Sequence, residues 1–133
     1  MIDLLIKEDE KDLKNMGFII NEKTNTYTAN IITVNGILTS SQHQCIGKAA
    51  ELFGNGIIKL STSFTIEVRG IPYEKINDFR KYIEKENIET GGVGPKLRPV
   101  VSCIGTDCRY GLTDTLSLSD EIHERIYNKY KNV

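Results

Sequence analysis

The feature that most constrains how this chain can fold is the order in which its apolar residues change period between Tyr27 and Ser102. Successive side chains on a strand point to opposite faces, whereas residues three or four apart on a helix share one face, so the period of a run identifies the element. Tyr27-Thr28-Ala29-Asn30-Ile31-Ile32-Thr33-Val34 is rich in β-branched residues and stops at Asn35-Gly36, a turn signal. Thr39 or Ser40 then caps a helix in which Cys45, Ile46, Ala49, Leu52 and Phe53 recur at helical spacing until Gly54-Asn55-Gly56. Ile57–Ser61 and Phe64–Val68 are short strands joined by little more than Thr62-Ser63, which predicts a hairpin.

Pro72 opens a second helix that runs to about Asn87, with Ile76, Phe79 and Ile83 apolar and Arg80 and Glu84 charged. Leu97–Ser102 supplies a further strand, so the order is β-α-β-β-α-β and the class is α+β with the split βαβ arrangement of ferredoxin-like folds. A last helix from Thr115 is expected to bury a stripe of Leu118, Ile122, Ile126 and Tyr130. Before the first strand, Leu13 and Met16 predict a short surface helix over residues 8–16 ending at Gly17. Three stretches follow: a surface segment at 1–17, the α+β half-domain at 18–95, and the beginning of a second domain at 96–133.

A chain of 133 residues suits one compact domain, or one plus the start of another. With 17 basic and 18 acidic residues it has no broad positive field to draw in nucleic acid or an anionic membrane, so neither partner is expected. Met1-Ile2-Asp3-Leu4-Leu5-Ile6-Lys7-Glu8 places an acid inside a short apolar run, unlike a signal peptide. Three cysteines without a regular framework fit a reducing, cytoplasmic setting in which thiols stay available to metals.

Two of those cysteines frame the chemistry. Cys103 and Cys108 form a C-x4-C pair at the exit of the expected last strand, with Gly105 allowing a sharp turn and Arg109 and Gly111 following. Thiolates are soft ligands for iron–sulfur clusters, zinc or copper(I), and their charge is tolerated where a helix begins. From spacing alone, ligation stands about even with a disulfide or a chance pair. Cys45, on an apolar helix face, reads as a small buried hydrophobe. His43 and His123 read as ordinary histidines, with a mixed Cys/His zinc site as a minor alternative.

The run Gly91-Gly92-Val93-Gly94-Pro95-Lys96-Leu97-Arg98-Pro99-Val100-Val101-Ser102-Cys103, continued by Gly105-Thr106-Asp107-Cys108-Arg109-Tyr110-Gly111-Leu112 and Asp114-Thr115, resembles the nitrite/sulfite reductases. Gly36-Ile37-Leu38-Thr39, Ile57-Ile58-Lys59-Leu60-Ser61-Thr62 and Ile66-Glu67-Val68-Arg69-Gly70-Ile71 are similar to that family's ferredoxin-like half-domain, so the likeness covers residues 17–130. It implies an oxidoreductase using siroheme and a [4Fe–4S] cluster, with Cys103 and Cys108 as two of the cluster's ligands. Arg98, Arg109, Gly92, Gly94 and Thr62 would then contact the macrocycle. The family's second cysteine pair has no counterpart before Val133, so residues 96–133 are expected to be only the start of the cofactor-binding domain, completed by a downstream half. Alone, the chain is expected to fold without either cofactor.

The resemblance breaks at the substrate. The family's two substrate arginines correspond here to Asn30 and Ser63. Reduction of a small inorganic anion concentrates negative charge, and cations supply much of its stabilisation. A weakened anion site is therefore expected. It keeps open a reading as a non-catalytic tetrapyrrole, electron-carrier or partner-docking module, with a zinc-stabilised structural domain as a third.

Overall fold

In the computed structural model residues 2–131 and 133 are described, with side chains from residue 9 onward. The side chains of the Met1–Glu8 run lie outside them. Helix α1 (Ile2–Asn15) leads into β1 (Phe18–Asn21), β2 (Thr26–Ile31), α2 (Ser40–Phe53), β3 (Ile58–Leu60) and β4 (Ile66–Ile71). After one 3-10 turn at Tyr73–Lys75 come α3 (Ile76–Glu84), a long irregular stretch, and α4 (Thr115–Ile122). The four strands make one antiparallel sheet in the order β1-β2-β4-β3. Both expected core helices form. Thr39 closes a reciprocal capping box with Gln42 at the start of α2, its hydroxyl accepting from the Gln42 N–H at 3.1 Å.

The core follows from the two periods. Phe18, Ala29, Ile31 and Val68 on the sheet meet Ile46, Ala49 and Ala50 of α2 and Ile76, Phe79 and Ile83 of α3, all buried. Phe79 is the centre of an aromatic cluster, edge-on to Phe18 at 6.1 Å and to Phe53 at 6.3 Å. Alternation on β4 is interrupted once. Ala29 pairs with Val68 but Tyr27 pairs with Ile71, so β4 carries one extra residue, accommodated at Gly70 with φ of 76°. The bulge returns Ile71 to the buried face.

Three expectations are corrected. Residues 97–102 form no strand. Pro99 can donate nothing to a ladder and is buried against Gly92 instead. The edge beside β2 is already occupied: β1 pairs along its first part, and Thr90 bridges Ile31 just beyond. The sheet bond from Ile32 N–H to Glu89 O is 3.0 Å, and that from Gly91 N–H to Asn30 O is also 3.0 Å. The closing strand of the βαββαβ order is thus a single bridge at Thr90, seven residues before the predicted one.

Strand β1 is additional to the expected order, formed by Phe18-Ile19-Ile20 before an Asn-rich turn in which Asn25 takes φ of 53°. The last helix begins at Thr115 as expected, but Leu118, Ile126 and Tyr130 are exposed, whereas Ser119 and Tyr127 are buried. A widened π turn at His123–Tyr127 rotates the face before α5 (Asn128–Tyr130). The N-terminal helix also runs further back than residue 8, and its Leu13 joins the core.

Replacing Phe79 by Ala should cost about 3–5 kcal/mol in urea unfolding, since it empties the core at its most enclosed point. Leu60→Ser, at a side chain 77% exposed on β3, should stay within about 0.5 kcal/mol.

Candidate functional site

Backbone pairing brings the functional loops to one end of the sheet. Thr90, Ile31, Ile66 and Leu60 lie in a single cross-strand row, so the loops beyond them emerge together: the glycine-rich loop, the 33–36 turn and the 61–65 turn. Thr62 and Gly92 follow opposite ends of that row, whose end members Leu60 and Thr90 are about 14 Å apart by three strand spacings. The two inner turns are clamped to each other, because the Thr33 hydroxyl donates to the Phe64 carbonyl and accepts from the Gly36 N–H at 2.9 Å.

Asn35 ties the half-domain to the rest. It is buried with φ of 59°, and its amide oxygen accepts from the hydroxyls of Ser102, at 3.0 Å, and Ser119. Its amide nitrogen donates to Asp120 at 3.3 Å. One side chain thereby fixes both the approach to Cys103 and the side on which α4 docks. Asn35 was read in the sequence only as a turn residue.

The cysteine turn is built on two glycines. Gly105 (φ 59°) starts a 3-10 turn over Gly105–Asp107, and a Cβ on it would sit 2.5 Å from the Thr115 hydroxyl oxygen. A Cβ on Gly111 would run into the Gly105 carbonyl. The Cys108 N–H donates to Gly105 O at 3.0 Å, and the Gly111 N–H to Cys108 O at 3.0 Å. Cys103 is exposed, with its sulfur 3.4 Å from the Thr115 hydroxyl at the first residue of α4. That hydroxyl, followed by the Gly105 N–H, holds the Cys103 thiol below its ordinary range. Cys108 is half-buried, and both thiols are free.

The other expected residues are less gathered. Arg98 and Arg109 are exposed, Arg109 lying over the Tyr110 ring at 5.8 Å. Gly92 is buried at φ of 66°, while Gly94, at φ of 65°, is exposed beside the Lys14 stem. Thr62 and Ser63 are exposed on their turn, where the Ser63 N–H donates to the Ser61 hydroxyl at 3.2 Å. Asn30 is committed to the glycine-rich loop, its amide donating to the Gly91 carbonyl at 2.7 Å in a buried bond.

Cys45 packs half-buried against the core, its thiol raised first by burial. His43 is exposed on α2, and His123 stacks on Tyr127 with ring centres 4.7 Å apart. Among the described residues no group of three or more His, Cys, Asp or Glu side chains converges as a metal site. The donor set at the turn is therefore two thiols of the right chemical kind, half the number a [4Fe–4S] cluster takes.

Residues 20–86 match the model of the nitrite/sulfite reductase ferredoxin-like half domain. An uncharacterized protein of Methanocaldococcus jannaschii is 30% identical over 110 residues, 83% of this chain and 40% of that protein. The crystal structure of dissimilatory sulfite reductase I superposes with a TM-score of 0.68 at 19% identity, over 79% of this chain and 25% of that one. The chain thus spans well under half the length of either relative.

Asn35→Ala should lower stability by about 1–3 kcal/mol, the cost of stranding buried hydroxyl partners, and should speed amide exchange selectively at residues 100–104. In pH-dependent alkylation, Cys103 should react from lower pH than Cys45. Thr115→Val should move the Cys103 profile to higher pH, since it removes the bond that favours the thiolate; an unchanged profile would contradict the assignment.

Proposed function

Because the chain belongs to the nitrite/sulfite reductase ferredoxin-like half-domain family, we propose that it is the amino-terminal portion of a siroheme- and [4Fe–4S]-dependent oxidoreductase to which it contributes Cys103 and Cys108 as cluster ligands. The observation that carries the reading is the Cys103 thiol, exposed at the start of α4 on a turn that two glycines shape and that also holds Cys108. Thiolate donors at a helix start fit an iron–sulfur cluster in kind. The remaining two ligands come from outside residues 1–133, from a downstream half-domain.

When bound, the two cofactors supply the electrons and the iron centre for reducing a small inorganic anion. The chain's own residues hold and orient them: Arg98 and Arg109 offer exposed guanidinium forks to macrocycle carboxylates, and Gly92 and Gly94 let backbone come close. Thr62 reaches the same end of the sheet from its far edge. The chain works in the cytoplasm and receives electrons from a separate donor.

A second reading is favoured by one specific observation. The Asn30 amide is spent on Gly91, and Ser63 is neutral, so neither substrate-arginine position supplies a cation. The same cofactor platform would then serve as a non-catalytic tetrapyrrole or electron-carrier module, or as a docking module for a partner.

The test uses protein isolated anaerobically from its native source, with iron content and visible absorption as readouts. Cys103→Ser and Cys108→Ser should each abolish the cluster band, and its survival in both would sink the proposal. The 133-residue chain alone, reconstituted with iron and sulfide and then desalted, should retain well under about four irons per molecule. Sulfite and nitrite turnover by the intact protein separates the two readings.

A further inference from the structure

Behind the glycine-rich loop, on the side of α3 and the π turn, lies a cavity of about 310 Å³ whose polar side chains the cofactor reading does not use. Arg80 reaches it from α3, half-buried, and its guanidinium makes no ion pair or hydrogen bond with any described residue. The Tyr127 side chain, 2% exposed, also lines it, and its hydroxyl bonds to no described residue either. The hydroxyl of an otherwise buried ring and a half-buried guanidinium, both open to the cavity, can donate to an acceptor placed in it. Gly92, on the same wall, has an N–H with no acceptor among the described residues.

Lys131 neutralises Glu89 on this wall through contacts of 2.9 and 3.0 Å, and Glu84 is exposed at its rim, so the half-buried Arg80 guanidinium is the cation set furthest into the wall. Burial, with Glu89 adding to it, pushes Tyr127 up to about 12, so the phenol keeps its proton to donate.

We infer that this cavity is a binding site for the oxyanion end, carboxylate or phosphate, of a small organic molecule, held by the Arg80 fork, the Tyr127 hydroxyl and the Gly92 N–H. Its volume admits a compact metabolite rather than a macrocycle. The site shares Gly92 with the proposed macrocycle contacts but includes neither cysteine, and its Arg80 and Tyr127 groups do not depend on the cluster proposal.

The test is a titration of the 15N-labelled chain with inorganic phosphate, acetate and citrate in turn, following the Gly92 amide and the Arg80 Nε–H signals. Saturable shifts at both are expected with at least one probe. Phosphate alone would assign a phosphate ester, and acetate or citrate a carboxylate. Arg80→Gln should weaken binding roughly tenfold or more, and Tyr127→Phe, which keeps the stacked ring, by several-fold. Arg80→Lys should restore part of the affinity, showing that a folded protein was measured. Absence of saturation with all three probes, or binding unaltered by Arg80→Gln and Tyr127→Phe, would overturn the assignment.

Discussion

Everything beyond the first hairpin depends on how closely two backbones pass at the β2 edge. Gly17, at the end of α1, lies against Gly91; a Cβ on Gly17 would run into the Gly91 nitrogen. Because Gly17 has no side chain there, its carbonyl can accept the Asn30 N–H at 2.8 Å while the Asn30 carbonyl accepts the Gly91 N–H. The edge of the sheet is thereby shared end to end by β1 and the 89–91 segment. The Asn30 amide then fastens the loop by its Gly91 carbonyl. A larger residue at Gly17 would part the loop from the sheet and displace the wall of the cavity behind it.

The attachment of residues 96–133 is of a different physical kind. The half-domain core is apolar and continuous, whereas the tail is held largely through polar bonds to Asn35 and by the burial of Tyr127. Directional bonds specify an orientation well while contributing modest net stability. They place Ser102, Cys103 and α4 in a defined relation to the sheet although Leu112, Val101, Ile104 and Leu118 remain exposed. The cysteine turn is consequently organised by backbone geometry and hydroxyl contacts, with Thr115 serving both as the first residue of α4 and as the hydrogen-bond partner of Cys103.

That division explains what could be read beforehand. Periodicity located α2, α3, the β3–β4 hairpin and the start of α4, because each rests on local spacing and on caps within a few residues. The cysteine pair and its glycines were visible as a motif. The roles of Asn30, Asn35, Thr115, Arg80 and Tyr127 were not, since each rests on a partner or neighbour distant in the chain: Asn35 and Ser119, for example, are 84 positions apart. A polar residue inside a strand pattern carries no local mark of whether it faces solvent or closes a buried bond.

The sequence by itself determined the α+β class, the sheet's central strands, the two helices that cover it and the thiol turn, because side-chain period and backbone preference act over neighbouring residues. Only the tertiary structure decided which segment closes the sheet edge and which face of the last helix is buried. Leu97–Ser102 has the composition of a strand, yet the vacancy beside β2 was filled by β1 and by residues much nearer the end of α3. Leu118, Ile126 and Tyr130 have the spacing of a core stripe, yet the bonds to Asn35 and the π turn put Ser119 and Tyr127 inside. In both cases the outcome turned on competition for one place in the fold, which no short stretch of sequence records.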